Sequence, residues 1–203
     1  MGIKNIIFDF GGVLLNIDYM LTEKAFINLG VSNFATLYNQ HKASDLFEQL
    51  ETGKISPDDF YNHFRAISKT NVTNEQIKDA WNAMLLDLPI ERIEWLQKIK
   101  NKYNIFLYSN TNQIHYDCFI NTLNKNLPNN FFETLFIKTY YSHSCGFRKP
   151  YPESYLKIIE EQQLNKAETL FIDDTLINIE GAKIAGLQTI HLQTPTTVLN
   201  LGL

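Results

Sequence analysis

The stretch "IKNIIFDFGGVLLNID" (residues 3–18) carries the strongest structural signal in the chain. Its apolar run at residues 6–8 ends in Asp9 and is followed by Gly11 and Gly12. An apolar run that does not alternate with polar residues is typical of a strand buried on both faces. We therefore predict a buried strand that presents a carboxylate at its carboxyl end, followed by a turn whose glycines tolerate unusual backbone angles and leave space for an anion.

Strands and helices alternate in the second half of the chain. Segments with strand character lie at "YNIFLYS", "ETLFIKTYY", "ETLFIDD" and "LQTIHLQ", and helical segments at "IERIEWLQKIKNK", "PESYLKIIEEQQ" and "INIEGAKIAG". The stretch "NKNLPNNFFETL" is predicted to be a loop that leads into a strand. This alternation predicts an α/β fold, with a parallel sheet covered by helices on both faces.

Residues 16–88 show sequence patterns of helices and none of strands. Ser56 with Asp59, and Thr73 with Gln76, form two capping-box patterns. Glycines at positions 30 and 53 are typical of helix ends. We predict an all-helical insertion over residues 16–88 and a sheet domain made of residues 1–15 and 89–203.

Composition excludes several classes of protein. The chain has 203 residues, 44% of them hydrophobic, and a formal net charge of −4, which argues against a nucleic-acid partner. Two cysteines, Cys118 and Cys145, leave room for at most one bridge, and reduced thiols are expected. No apolar run approaches the length of a membrane span, and no signal peptide is recognised. We expect a soluble cytoplasmic protein without a membrane partner.

Polar side chains follow three of the predicted strands. Asp9, Ser109 and the pair Asp173-Asp174 each lie at a strand's carboxyl end, where parallel sheets bind ligands. Taken alone, these residues could also be turn or helix caps, and Lys149 in "CGFRKPYPES" could be a surface lysine. Two adjacent buried carboxylates need a compensating cation, however, and their oxygens suit Mg²⁺.

In this order, Asp9, Ser109, Lys149 and Asp173-Asp174 resemble the four motifs of the haloacid dehalogenase-like superfamily. "FDFGGVLLNID", "LYSNTNQIH", "FRKP" and "FIDDTLINIEGA" are similar to those of bacterial sugar-phosphate phosphatases, including enzymes that act on α-D-glucose 1-phosphate. The resemblance covers essentially the whole chain and implies a Rossmann-like core with a helical cap.

The resemblance also implies roles for individual residues. Asp9 would be the nucleophile that forms an aspartyl-phosphate. Mg²⁺ would be held by Asp9, the Gly11 carbonyl and Asp174, with Asp173 acting directly or through water. The residues expected to bind the phosphoryl group are Ser109, Asn110, Lys149, Gly11 and Gly12. Asn178 would orient the aspartate pair or the lysine.

Gly11 departs from the family pattern, because most phosphatases of the superfamily carry an acid–base aspartate at this position. General acid–base catalysis by such a residue typically raises the rate about 10²–10⁴-fold. Its loss matters least when the leaving group has low basicity, as in anomeric, acyl and aryl phosphates. This agrees with the resemblance, which implies sugar phosphates such as hexose 1-phosphates as substrates. Asp18 or His115 could supply a surrogate acid. A 2-haloacid dehalogenase and an inactive binding or regulatory protein are the alternatives.

The predicted cap should exclude water and select the leaving group. Lys42, Asp45, Glu48 and Gln49 are the polar cap residues that could face a sugar. The expected partner is a small phosphorylated molecule, and the expected assembly is a monomer or a weak homodimer.

Overall fold

The computed structural model describes residues 2–32, 34–39, 42–43 and 45–203, without the side chains of residues 39, 42 and 43. These described residues contain seven strands and ten α-helices. The strands are β1 (Asn5–Phe8), β2 (Tyr38–Asn39), β3 (Lys42–Ala43), β4 (Asn104–Ser109), β5 (Lys138–Tyr141), β6 (Thr169–Asp173) and β7 (Gln188–His191).

The α-helices lie before, between and after these strands. They are α1 (Tyr19–Asn28), α2 (Phe34–Leu37), α3 (Asp45–Glu51), α4 (Pro57–Ser68), α5 (Asn74–Asn82), α6 (Ile90–Ile99), α7 (Gln113–Asn126), α8 (Ser142–Cys145), α9 (Pro152–Glu161) and α10 (Leu176–Ile184). Short 3₁₀ turns occupy Glu133–Leu135, Lys166–Glu168 and Val198–Asn200. No described helix has the length and apolar character needed to cross a bilayer.

Five parallel strands form the central sheet in the order β5-β4-β1-β6-β7. All four residues of β1 are buried, as the unbroken apolar run predicted. Ile6 and Phe8 pack with α6 and α7 on one face, and Ile7 packs with α9 and α10 on the other. The predicted α/β fold with helices on both faces is therefore confirmed.

The register of the sheet brings three strand ends to one level. Phe8 pairs with Leu107 of β4 and with Ile172 of β6. The Asp9 amide continues the ladder by donating to the Ile172 carbonyl over 2.9 Å. The residues that follow these strands consequently lie side by side at the carboxyl edge of the sheet.

A separate aromatic core holds together the segment between β1 and α6. It is built mainly from rings and a few aliphatic side chains, including Phe26, Phe34, Phe47, Phe60, Phe64 and Trp81. The capping boxes at Ser56 and Thr73 both form as predicted. The insertion also contains the small antiparallel pair of β2 and β3, which the sequence did not indicate. The division into residues 16–88 and the remainder stays a prediction.

Two elements of the sheet domain differ from the sequence analysis. The strand predicted for "ETLFIKTYY" is confined to β5, because Glu133–Leu135 forms a 3₁₀ turn. Helix α7 was not predicted. It begins where the Asn112 side chain accepts a hydrogen bond from the His115 amide over 3.0 Å, a capping pattern hidden in a polar, asparagine-rich segment.

Candidate active site

A cavity of about 140 Å³ opens at the carboxyl edge of the sheet. Asp9, Ser109, Asn110, Lys149 and Asp174 all line it. The predicted convergence of distant segments is therefore present in the structure. Residues of the insertion and of the loop before α9 complete the wall. The cavity thus lies between the sheet and the segment predicted to be a cap.

Lys149 is the cation at the centre of this site. Its side chain is 1% exposed, and its Nζ atom lies 2.6 Å from Asp9 Oδ1 and 2.7 Å from Asp173 Oδ2. The Tyr108 and Phe171 rings each have their centroid 5.5 Å from the same nitrogen. Burial lowers the pKa of Lys149, but the two carboxylates outweigh this effect and raise it above its ordinary value. Lys149 therefore stays charged and holds the two acids in place.

The acidic cluster has more negative charge than Lys149 can balance. One oxygen from each of Asp9, Asp173 and Asp174 lies within 4.8 Å of the others. Burial raises the pKa of Asp9 to about 8; Lys149 opposes this shift, and the other two carboxylates add to it. If all three carboxylates were ionised, they and the Lys149 ammonium would carry an excess of two negative charges, which one divalent cation would balance. The donor set is all oxygen, as Mg²⁺ prefers.

Asp173 is fully buried and faces Lys149 rather than the cavity. Its Oδ2 accepts from Lys149, its Oδ1 accepts from the Thr175 amide, and the Asn178 amide group lies 3.1 Å from both oxygens. This full set of partners leaves little capacity for a metal ion. The geometry favours a positioning role for Asp173 over the predicted metal contact, with Asn178 orienting it.

Gly12 allows the Asp174 side chain to lie close to the turn that follows β1. The residue has φ +76°, and a Cβ atom placed on it would lie 2.2 Å from Asp174 Oδ2. The predicted phosphate contact from Gly12 is not supported, because its amide already donates to the Leu15 carbonyl over 2.8 Å. The glycine is required here for close packing against a carboxylate.

Two side chains connect the loops around the site, because each makes a pair of hydrogen bonds with the backbone of one residue in another loop. The Asn110 side chain accepts from the Lys149 amide and donates to its carbonyl, each over 3.0 Å. Ser142 makes the same two-way contact with Thr111, over 2.9 and 2.8 Å. Asn110 thereby fixes the position of Lys149. Ser142 was not identified from the sequence, since an isolated serine carries no signal for this role.

The space beside Gly11 is filled by an apolar side chain. A Cβ atom at position 11 would lie 2.4 Å from Ile17 Cδ1. An aspartate at position 11 would thus require Ile17 to move. The glycine and the isoleucine replace a polar acid with a hydrophobic wall on this side of the cavity.

Neither surrogate acid has the expected placement. The Asp18 carboxylate caps α1 by accepting from the Met20 amide over 2.9 Å, and Asp18 does not line the cavity. His115 does line it, but its ring is buried, stacks on Trp81 and has Nε2 3.0 Å from the Trp81 carbonyl. Because a carbonyl only accepts, Nε2 carries the proton. Burial lowers the pKa of His115 to about 4, so the ring is neutral at pH 7 and is a poor acid there.

The buried neutral histidine predicts a pH-dependent stability. The pKa of His115 falls from 6.5 in the unfolded chain to about 4 in the folded one. Between these values only the unfolded chain binds the proton, so the free energy of unfolding decreases as pH drops from 6.5 to 4, by about 3 kcal/mol in total.

Urea unfolding at several pH values would measure this effect in the wild type and in His115→Gln, whose amide can still donate to the Trp81 carbonyl. Carboxylates titrate in both proteins, so the difference between them isolates the histidine. We expect a shallower loss of stability in the variant; parallel curves would contradict the assignment.

Several cavity residues were not identified from the sequence as functional candidates. Among them are Tyr19, Tyr38 and Glu51 from the insertion, and Arg148 next to Lys149. The predicted sugar-facing residues Asp45, Glu48 and Gln49 are not in the lining, and the side chain of Lys42 lies outside the described residues. One turn of α3 separates Glu48 from Glu51, and a sequence pattern does not show which of them faces inward.

Fold and site together define an α/β protein with an acidic, lysine-bridged cavity at its strand ends. Comparison with known proteins identifies the family: residues 3–186 match the haloacid dehalogenase-like hydrolases. The chain belongs to this family and is a hydrolase, as the four motifs indicated.

Individual relatives extend this result. The chain is 32% identical to D-ribitol-5-phosphate phosphatase from Bacteroides thetaiotaomicron, over 92% of this chain and 90% of that protein. It superposes with a TM-score of 0.85 on a HAD family enzyme from the same organism, solved with magnesium and inorganic phosphate, at 33% identity over 100% of both chains. L-2-haloacid dehalogenase from Xanthobacter autotrophicus, at 16% identity over 94% of this chain and 77% of that one, with a TM-score of 0.58, shares the fold.

Proposed function

We propose that this hydrolase is a Mg²⁺-dependent phosphatase of small phosphate monoesters that works through an aspartyl-phosphate on Asp9. The observation that carries the proposal is the cluster of Asp9, Asp173 and Asp174, in which Asp9 and Asp173 contact Lys149 and Asp9 and Asp174 line the cavity. Its excess negative charge would repel an anionic substrate unless a divalent cation were bound. A relative of the same fold was solved with magnesium and inorganic phosphate, which supports this choice of ion and ligand.

Asp9, Asp174 and the Gly11 carbonyl are the groups proposed to hold the ion. Asp9 and Asp174 face the cavity, and a carbonyl is available at position 11 whatever its side chain. When bound, the ion supplies the positive charge that draws phosphate oxygens to the site and keeps Asp9 ionised. Asp173 would act indirectly, by holding the Lys149 side chain in position.

The chemistry proposed for the chain's own residues has two steps. An Asp9 oxygen attacks phosphorus, the bond to the leaving alcohol oxygen breaks, and that oxygen takes up a proton. Water then attacks the phosphorus of the aspartyl-phosphate and loses a proton, which releases inorganic phosphate and restores Asp9. Ser109, the Asn110 amide and Lys149 would hold the phosphoryl oxygens, where fixed positive charge and donors stabilise the developing charge.

The proposed substrates are phosphates of sugars or sugar alcohols. Without an acid at position 11, leaving groups of low basicity such as hexose 1-phosphates are favoured on chemical grounds. The relative named for D-ribitol 5-phosphate widens the proposal to esters of primary alcohols. Both types belong in the test.

Neither alternative function is favoured by an observation. Dehalogenase chemistry without a metal would leave the carboxylate cluster uncompensated, and the likeness to L-2-haloacid dehalogenase shows the fold alone. An inactive binding protein would be supported by Gly11 only. The cavity next to Asp9 is open rather than plugged by side chains.

Phosphate release from a substrate panel, with and without chelator, tests the proposal. The panel contains p-nitrophenyl phosphate, hexose 1- and 6-phosphates and pentitol 5-phosphates. We expect activity with Mg²⁺ and its loss in EDTA, restored by excess Mg²⁺. No release from any substrate would refute the phosphatase, and chloride release from 2-haloacids in EDTA would support the dehalogenase. We further propose a cytoplasmic monomer or weak homodimer.

A further inference from the structure

Two charged residues from different parts of the chain meet on the cavity wall. Glu51 is the last residue of α3 in the insertion, and Arg148 directly precedes Lys149 in the sheet domain. Both line the cavity that contains Asp9. Glu51 is only 5% exposed, so its carboxylate is largely withdrawn from bulk water.

The pair is held by several contacts. Arg148 Nη2 lies 2.9 Å from Glu51 Oε2, and Arg148 Nη1 donates to Glu48 Oε2 over 3.3 Å. The Tyr151 hydroxyl donates to Glu48 Oε1 over 3.4 Å, and Tyr38 lines the same cavity. Burial raises the pKa of Glu51, and the Arg148 guanidinium opposes this shift. The arrangement fixes an acceptor and a donor at defined positions.

The pair places charged hydrogen-bonding groups on the cavity wall. Glu51 Oε2 is engaged by Arg148 Nη2 in the ion pair, and the buried donor Arg148 Nε has no hydrogen-bond partner among the described residues. A buried polar group left unpaired is costly. A hydroxyl group both donates and accepts, so neighbouring hydroxyls on one carbon chain could hydrogen-bond to the carboxylate and to the guanidinium. An alkyl or aryl leaving group could bond to neither.

We infer that Glu51 and Arg148 form a hydroxyl-recognition site that makes the cavity selective for phosphate esters of polyhydroxylated alcohols. This inference rests on the proposed phosphatase function and assigns its choice of leaving group to two named residues. Phosphate binding by Lys149 and leaving-group binding by its neighbour Arg148 would then come from adjacent positions in one loop. The insertion contributes the acceptor.

The experiment compares kcat/KM for a pentitol 5-phosphate, n-pentyl phosphate and p-nitrophenyl phosphate, with Mg²⁺, in the wild type and in Glu51→Gln. The wild type should prefer the pentitol ester to the pentyl ester. The variant should lose at least about tenfold in this ratio, the effect of one charged hydrogen bond. Glu51→Asp keeps the negative charge but moves the carboxylate away from the cavity by one methylene group. It serves the same purpose if the glutamine variant does not fold.

Asp45→Asn is the matched control, because Asp45 lies on the same helix, is exposed and does not line the cavity. Its ratio should equal that of the wild type. Equal ratios in Glu51→Gln and Asp45→Asn, or a wild type without preference for the pentitol ester, would overturn the inference. Activity on p-nitrophenyl phosphate in the same experiment would still support the proposed phosphatase. Absence of all phosphate release would instead refute the proposed function, and this inference with it.

Discussion

Asp9→Asn is expected to lower kcat/KM for p-nitrophenyl phosphate at least about 10⁴-fold, because an amide cannot form the aspartyl-phosphate. The same change should not weaken the fold. Burial among other carboxylates raises the pKa of Asp9, which means that the ionised form is disfavoured in the folded protein. A neutral asparagine of the same shape removes that cost, although it also weakens the contact with Lys149.

Thermal unfolding with and without Mg²⁺ gives a readout that does not depend on turnover. A ligand that binds only the folded state raises its stability, so Mg²⁺ should raise the Tm of the wild type more than that of Asp9→Asn. Glu94→Gln, an acid-to-amide change at an exposed position of α6, should match the wild type in both activity and Mg²⁺ response. If kcat/KM of Asp9→Asn were within tenfold of the wild-type value, Asp9 would not be the nucleophile.

The sheet and the floor of the site could be predicted from local sequence because each signal is short and self-contained. A continuous apolar run that ends in Asp9, and another that ends in Asp173-Asp174, identify buried strands by composition alone. The rule that parallel strands present their carboxyl ends at one edge then brings those residues together. No knowledge of long-range packing is needed for this step.

Residues that act through packing were not predictable in the same way. The clash between a Cβ atom at position 12 and Asp174, and the Ile17 side chain beside Gly11, exist only once residues distant in sequence are placed in contact. The Asn110 amide was expected to bind phosphate, and this stays a prediction; that the Asn110 side chain also holds the Lys149 backbone could not be foreseen. A polar residue in a loop does not reveal whether it faces a ligand or another loop.

The wall of the cavity formed by the insertion was the least predictable part. Glu48, Gln49 and Glu51 have similar polarity, and the orientation of α3 against the sheet domain determines which of them faces inward. The assignment of His115 failed for a related reason. Its position just beyond the Ser109 loop suggested a proton donor for the site, whereas α7, which was not recognised, buries it against Trp81.

Lys149→Met is expected to affect both stability and activity strongly. The substitution keeps a flexible apolar chain between the Tyr108 and Phe171 rings but removes the cation that contacts Asp9 and Asp173. Breaking a buried ion pair from one side typically costs about 3–5 kcal/mol, because the remaining charge is uncompensated. Loss of a fixed positive charge at the phosphoryl group should also lower kcat/KM by about 10²–10³-fold.

A second substitution separates these two effects. Adding Asp173→Asn to Lys149→Met removes one of the carboxylates that the loss of Lys149 leaves uncompensated. Urea unfolding should therefore show that part of the lost stability returns. Activity should not return, because the asparagine supplies no charge to the phosphoryl group. If Lys149→Met unfolded at the same urea concentration as the wild type, Lys149 would not be compensating these acids. If the double variant recovered turnover along with stability, the lysine would be a structural residue rather than a ligand of the transferring phosphoryl group.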